Sequence, residues 1–93
     1  MSSVADRIKA KITQALAPVR LVVVDESHRH AGHAGARPEG ETHFRVEICS
    51  DAFAGLSRID RQRLVHQVLA DELRERVHAL SLATTTPEEA GAS

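Results

Sequence analysis

The stretch ESHRHAGHAGARPEGETHF starts at Glu26 and carries four of the chain's six histidines: His28, His30, His33 and His43. Imidazole changes charge near neutral pH and is a common metal ligand. Three readings stay open: a metal site, a pH-sensitive patch, or a solvated loop that is merely rich in histidine. Gly32, Gly35 and Gly40 make the segment deformable, so an imidazole can reach a metal without strain. Structural zinc usually needs four nitrogen or sulfur ligands in fixed geometry. No thiol is nearby, so three loop histidines do not define such a site. His43, next to the loop, is either a ligand or simply a strand-end residue, and the strand-end reading is preferred. His78 is the other candidate, because alternation puts it at a strand start on the core-facing side. It is either a satisfied edge histidine or a side chain aimed at a ligand.

Little else in the chain suggests chemistry. Cys49 belongs to no CxxC pair, and nothing cationic beside it in sequence marks an activated thiolate. It reads as a small, partly buried side chain. There is no Ser/His/Asp set, no paired-carboxylate arrangement and no P-loop, so the residues make no case for an enzyme. The tetrapeptide GHAG, Gly32 to Gly35, matches the GxxG that clamps nucleic-acid backbone in KH domains. There it joins two helices. Here it lies between two predicted strands without a basic flank, and it reads as a chance match.

The elements that must position these groups fit one small domain of 93 residues. Two Phe and no Tyr or Trp leave the core to Val, Leu, Ile and Ala. A net charge of −1 argues against a polybasic nucleic-acid binder. A single cysteine cannot form an internal disulfide, so a reducing, intracellular and cytoplasmic setting is expected, with an organelle as the alternative. No apolar run approaches the ~20 residues of a membrane span. The segment MSSVADRIKAK reads as an amphipathic helix, not as a signal peptide.

Val4 to Leu16 is predicted helical, with Val4, Ile8, Ile12 and Leu16 on one face. Ser3 and Asp6 resemble a capping box, and Pro18 ends the helix. LVVVD, Leu21 to Asp25, reads as a buried strand. His43 to Cys49 alternates, with Phe44, Val46 and Ile48 inward. The two strands are expected to pair as an antiparallel hairpin across the long loop. Phe53 reads as a plug into the core. A helix is predicted from Ser57 to about Arg74, its stripe being Leu64, Val65, Val68, Leu69 and Leu73. Arg61 falls in the apolar arc, so its stem should pack and its head reach the edge. Val77 to Thr84 reads as the third strand. Thr86 and Pro87 suggest one short capped turn, and residues 90–93 read as a frayed tail after a single domain at 1–89. The order α-β-β-α-β implies an α/β (α+β) fold, a three-stranded mixed sheet with helices on one face.

At this point the sequence resembles the BolA family. VVDESHRHAGHAG, then ETHFRVEICSDAFAGLSRIDRQRLV, then LADELRERVHALSLATTTPEE follow that family's pattern in order. The distinctive pieces are (S/T)HF, SDxFxGxS, RxRLV and VHAL. The resemblance spans the first helix to Glu89. It departs at Gln62, where RHR is common, and at Ala90, where many members carry a tryptophan. It implies a class II KH-like fold of the histidine-loop type, since Cys49 lies on a strand. It also implies a partner role rather than catalysis. Family members pair with monothiol CGFS glutaredoxins, and the pair shares a [2Fe–2S] cluster with glutathione supplying a thiolate. By position, His78 and His30 match the ligands, with His33 and His28 as alternatives. A monomer alone and a heterodimer with the partner are implied.

Two other readings compete. A DNA-binding regulator would use the KH-like fold and Arg58, Arg61 and Arg63. Fold alone does not carry function, and near-neutral charge gives a weak phosphate attraction. A plain protein-interaction module would bind the glutaredoxin with no metal at all.

Overall fold

The computed structural model describes residues 3–26, 43–77 and 79–91. Helix α1, Val4–Leu16, starts where Ser3 Oγ accepts the Asp6 N–H at 3.1 Å. Its stripe of Val4, Ile8, Ile12 and Leu16 is buried, as the spacing predicts. It ends at Ala17, which adopts the left-handed conformation (φ 43°, ψ 56°) and donates to the Thr13 carbonyl. That geometry is a standard helix terminator normally given to glycine.

Strands β1 (Arg20–Asp25), β2 (His43–Cys49) and β3 (Ala79–Thr85) form one sheet in the order β1-β2-β3. β1 runs antiparallel to β2 and β3 parallel to it. A parallel neighbour requires a crossover, and the helical segment between β2 and β3 supplies it. The register sets Leu21 beside Ile48, Val23 beside Val46, Phe44 beside Leu80 and Val46 beside Leu82. These residues make the face that α1 and the second helix cover. Ile8, Ile12, Phe44, Val46, Ile48, Phe53, Val65 and Leu69 are its most buried members. The predicted α+β class and mixed sheet are therefore observed.

Three local expectations change. β1 is half-buried along Leu21 to Asp25 rather than fully buried, because it is an edge strand with helices on one side. The single helix expected to Arg74 is two: α2, Arg58–Val68, and α3, Ala70–Glu75, separated at Leu69 (φ −103°, ψ 18°). No glycine or proline marks that break, and the apolar spacing runs straight through it. Finally, the short capped turn expected at Thr86 and Pro87 is a helix, α4, Pro87–Gly91. Thr86 and Glu89 form a reciprocal capping box, Glu89 N to Thr86 Oγ1 at 3.1 Å and Thr86 N to Glu89 Oε1 at 3.0 Å. The Ala90 N–H then donates to the Thr86 carbonyl.

The connector after β2 is a 3-10 turn, Asp51–Phe53, and Phe53 plugs the core as expected. Ser50 is fully buried and joins three segments. Its Oγ donates to the Leu16 carbonyl at 2.6 Å and accepts the Ala52 N–H, while its N–H donates to Thr85. One hydroxyl thereby fixes the end of α1 against the end of the sheet.

Candidate functional site at one end of the sheet

His28, His30, His33 and His78, the predicted ligand positions, lie outside the described residues. What the fold defines is their attachment. Strand β1 ends at Asp25, and β2 begins at His43. The Glu26 N–H donates to the His43 carbonyl at 2.8 Å, which closes the loop's base. Across the sheet, His43 is the register partner of Ala79, the residue that follows position 78. Both loop anchors and the start of β3 therefore share one end of the sheet. This juxtaposition follows from the parallel register, because a parallel strand must begin beside its neighbour's beginning.

A surface pocket of about 200 Å³ lies there, lined by Glu26, His43, Phe44, Ala79, Leu80 and Ser81. Phe44 and Leu80 give it an apolar floor on the core side, while Glu26 and His43 bring polar groups. Arg45 reaches Glu26 of this pocket at 3.6 Å and, further along β2, Glu47 at 3.4 Å. Among the described residues, no group of three or more His, Cys, Asp and Glu side chains could hold a metal ion. The donors implied by the resemblance, one imidazole from the loop and one at position 78, are neutral ligands from two separate segments.

The three arginines expected to face a partner or nucleic acid separate into two kinds. Arg58 and Arg63 are exposed, and Arg63 makes only a 3.7 Å contact to Asp60. Arg61 is committed internally, as its place in the apolar arc foretells. Its side chain is 12% exposed, with Nε donating to Leu56 O and one terminal nitrogen to Thr84 O, each at 3.1 Å. Both terminal nitrogens grip Glu89, at 2.6 and 2.9 Å. This bidentate bond, then the Thr86 N–H, holds the Glu89 carboxyl down at about 2. The guanidinium carbon also stands 6.0 Å from the Phe53 ring centroid.

Cys49 is buried, 8% exposed, in agreement with its reading as a small partly buried side chain. Glu72 escaped sequence reasoning. It is fully buried, yet lies 2.9 Å from Lys11 Nζ and 2.8 Å from an Arg7 nitrogen. The hydrogen bond to Glu72 raises the Lys11 pKa above its usual value. The signal was available: position 72 is seven residues after Val65 and three after Leu69, on the buried face. A carboxylate there requires cations from a packed neighbour.

The BolA-like protein family model matches residues 12–89. The BolA domain of SufE1 from Arabidopsis thaliana superposes with a TM-score of 0.85 at 46% identity, covering 96% of this chain and 98% of that one. Protein BOLA1, chloroplastic, from the same plant is 46% identical over 87 residues, 91% of this chain. The DNA-binding transcriptional regulator BolA of Escherichia coli is 44% identical over 86 residues, 92% of this chain and 78% of its own length. This chain spans 54% of BOLA1 and 24% of the whole Arabidopsis SufE-like protein 1. Among the described residues no helix is long and apolar enough to cross a membrane. Fold and sequence agree over nearly the whole length, and the chain belongs to the BolA-like family.

Proposed function

We propose that this chain is a non-enzymatic partner of a monothiol CGFS glutaredoxin, and that the two share a glutathione-ligated [2Fe–2S] cluster for cluster trafficking or iron and redox regulation. His78 and His30 are the ligands on this side, with His33 and His28 as the alternatives within the loop. The supporting observation is the pairing of His43 with Ala79, which sets the loop base and the residue after position 78 at one end of the sheet. The partner cysteine and glutathione provide two thiolates; the two imidazoles complete the set. Two imidazoles on one iron raise the cluster potential relative to four thiolates. Imidazole protonates near neutral pH, so this donor set loosens in acid. A half-site of this kind holds metal only in the complex, so the isolated chain is a cofactor-free monomer and the working form a heterodimer. The thiolates require a reducing compartment, the cytoplasm or an organelle, and the chloroplastic relative fits the latter.

The test mixes the chain with its glutaredoxin, ferrous iron, sulfide and glutathione, and records visible absorption and circular dichroism. A spectrum distinct from that of the glutaredoxin alone, lost in His78→Ala and altered in His30→Ala, is expected. A spectrum identical to glutaredoxin's own overturns the shared cluster. Retention of the new spectrum in His78→Ala overturns the ligand assignment. Apo binding that survives both substitutions shows that docking does not depend on the ligands.

A second reading, DNA binding, has two observations in its favour: the name of the Escherichia coli relative and the outward Arg58 and Arg63 at the start of α2. Two phosphate contacts give a slope of log affinity against log salt of about −2, far below that of a dedicated DNA binder. A much steeper slope, reduced by Arg58→Ala and Arg63→Ala, would move this reading forward.

A further inference from the structure

Helix α4 contributes no buried residue to the fold. It has no apolar anchor, unlike α1, α2 and β2. What holds it is polar: the bidentate Arg61–Glu89 bond and the capping box between Thr86 and Glu89. The receiving side is rigid, because Arg61 is fixed by the Leu56 and Thr84 carbonyls and packs beside Phe53. On the arriving side, Glu89 is the α4 side chain that grips Arg61.

The face of the sheet turned away from α1 and α2 carries Arg45, Glu47 and Cys49 in alternation. Arg45 and Glu47 are 48% and 33% exposed in their side chains, whereas Cys49 on the same face is buried. Something must cover it. A cavity of about 180 Å³ lies over Cys49, lined by Arg20, Glu47, Ala83 and Thr85 of the strands and by Ala90 of α4. Arg20 and Thr85 are its register partners on either side. Ala90 is the wall that comes from outside the sheet.

We infer that α4 is an electrostatic latch over Cys49: the Arg61–Glu89 bond holds the short C-terminal helix across the end of the sheet, and its release exposes the chain's single thiol without unfolding the core. The inference is independent of the proposed cluster, because Glu26, His43 and Ala79 lie at the other end of the strands. An ionic latch with no apolar burial opens more readily than the core and is weakened by salt.

The test measures the reaction of Cys49 with Ellman's reagent in the full chain across a range of sodium chloride and urea concentrations. Glu89→Ala, Glu89→Gln, Glu88→Gln and Ala90→Leu are compared with the unaltered chain, with circular dichroism confirming the fold. Glu89→Ala should raise the rate about tenfold. Glu89→Gln, which keeps a capping oxygen, should raise it less, and Glu88→Gln not at all. Salt should accelerate the unaltered chain and leave Glu89→Ala unaffected. Ala90→Leu, which fills the cavity, should slow the reaction. The urea dependence in Glu89→Ala should be much shallower than that of global unfolding. Rates within twofold of the unaltered chain in a folded Glu89→Ala overturn the latch. So does an acceleration whose urea dependence equals that of global unfolding, since the thiol is then reached only through the unfolded state.

Discussion

Replacing Ser50 by Ala removes one oxygen atom from a fully buried position. The perturbation has two parts. The Leu16 carbonyl, at the buried end of α1, loses its 2.6 Å donor. A buried acceptor left without a partner costs about 1–3 kcal/mol. The Ala52 N–H loses its 3.1 Å acceptor, but Ala52 is exposed and water can replace it. That loss resembles an ordinary cap deletion at its weak end, ~0.5 kcal/mol. Together the substitution should destabilise by about 1.5–3.5 kcal/mol, against the roughly 5–14 kcal/mol expected for a domain of this size. The melting temperature should fall by about 6–28 °C, at roughly 4–8 °C per kcal/mol. Urea unfolding followed by far-UV circular dichroism measures the difference directly. Ser57→Ala is the internal control, because Ser57 also caps a helix, through Asp60 N at 3.1 Å, but at an exposed site. It should cost about 1 kcal/mol. If Ser50→Ala costs no more than Ser57→Ala, with equal urea slopes, the reasoning from the buried Leu16 carbonyl is wrong.

Three further outcomes are expected. Ala17→Gly relieves an L-residue of its left-handed conformation and should stabilise by about 0.5–1 kcal/mol, visible as a higher urea midpoint; a lower midpoint would contradict the capping geometry. Glu89 titrates at about 2 in the fold against an ordinary 4.5, so its contribution is complete above 4.5 and disappears as pH falls from there towards 2. Asp51 and Glu88 line the same pocket as Arg61 and Glu89, so the pH profile of Glu89→Gln must be subtracted to isolate this one group; an identical acid limb in the two proteins would remove Glu89 from the account. Deleting the cations around Glu72 (Arg7→Met with Lys11→Met) should destabilise more than Glu72→Gln does. The first leaves a fully buried carboxylate without countercharge, the second leaves two cations that water can reach; the reverse order of urea midpoints would refute this.

Much of the fold was legible because its signals are local. Ser3, the i, i+4 stripe of α1 and the period-two alternation of His43 to Cys49 set those elements at their observed bounds. Arg61's position in an apolar arc foretold a packed stem and a head at the edge. The break at Leu69 was not legible, because its surroundings carry no glycine, proline or change of period. The half-burial of β1 was illegible for another reason: an apolar run is the same whether a strand is central or at an edge. The candidate site divides the same way. Which residue types can ligate was readable from the histidines themselves, whereas the shared end of the sheet at Glu26, His43 and Ala79 depends on the pairing of β2 with β3.

By itself, then, the sequence determined the inventory: a family pattern, two amphipathic helices, three strands, one thiol and a cluster of imidazoles. Tertiary structure alone decided which of these meet. It laid β3 parallel to β2, so that Ala79 starts its strand beside His43. It buried Glu72 under two cations from α1, and it fastened α4 over Cys49 through one arginine. The physical reason is common to all three. Capping and periodicity act over a few residues, but burial and charge pairing join groups up to 68 residues apart, and only the packed chain sets their distances.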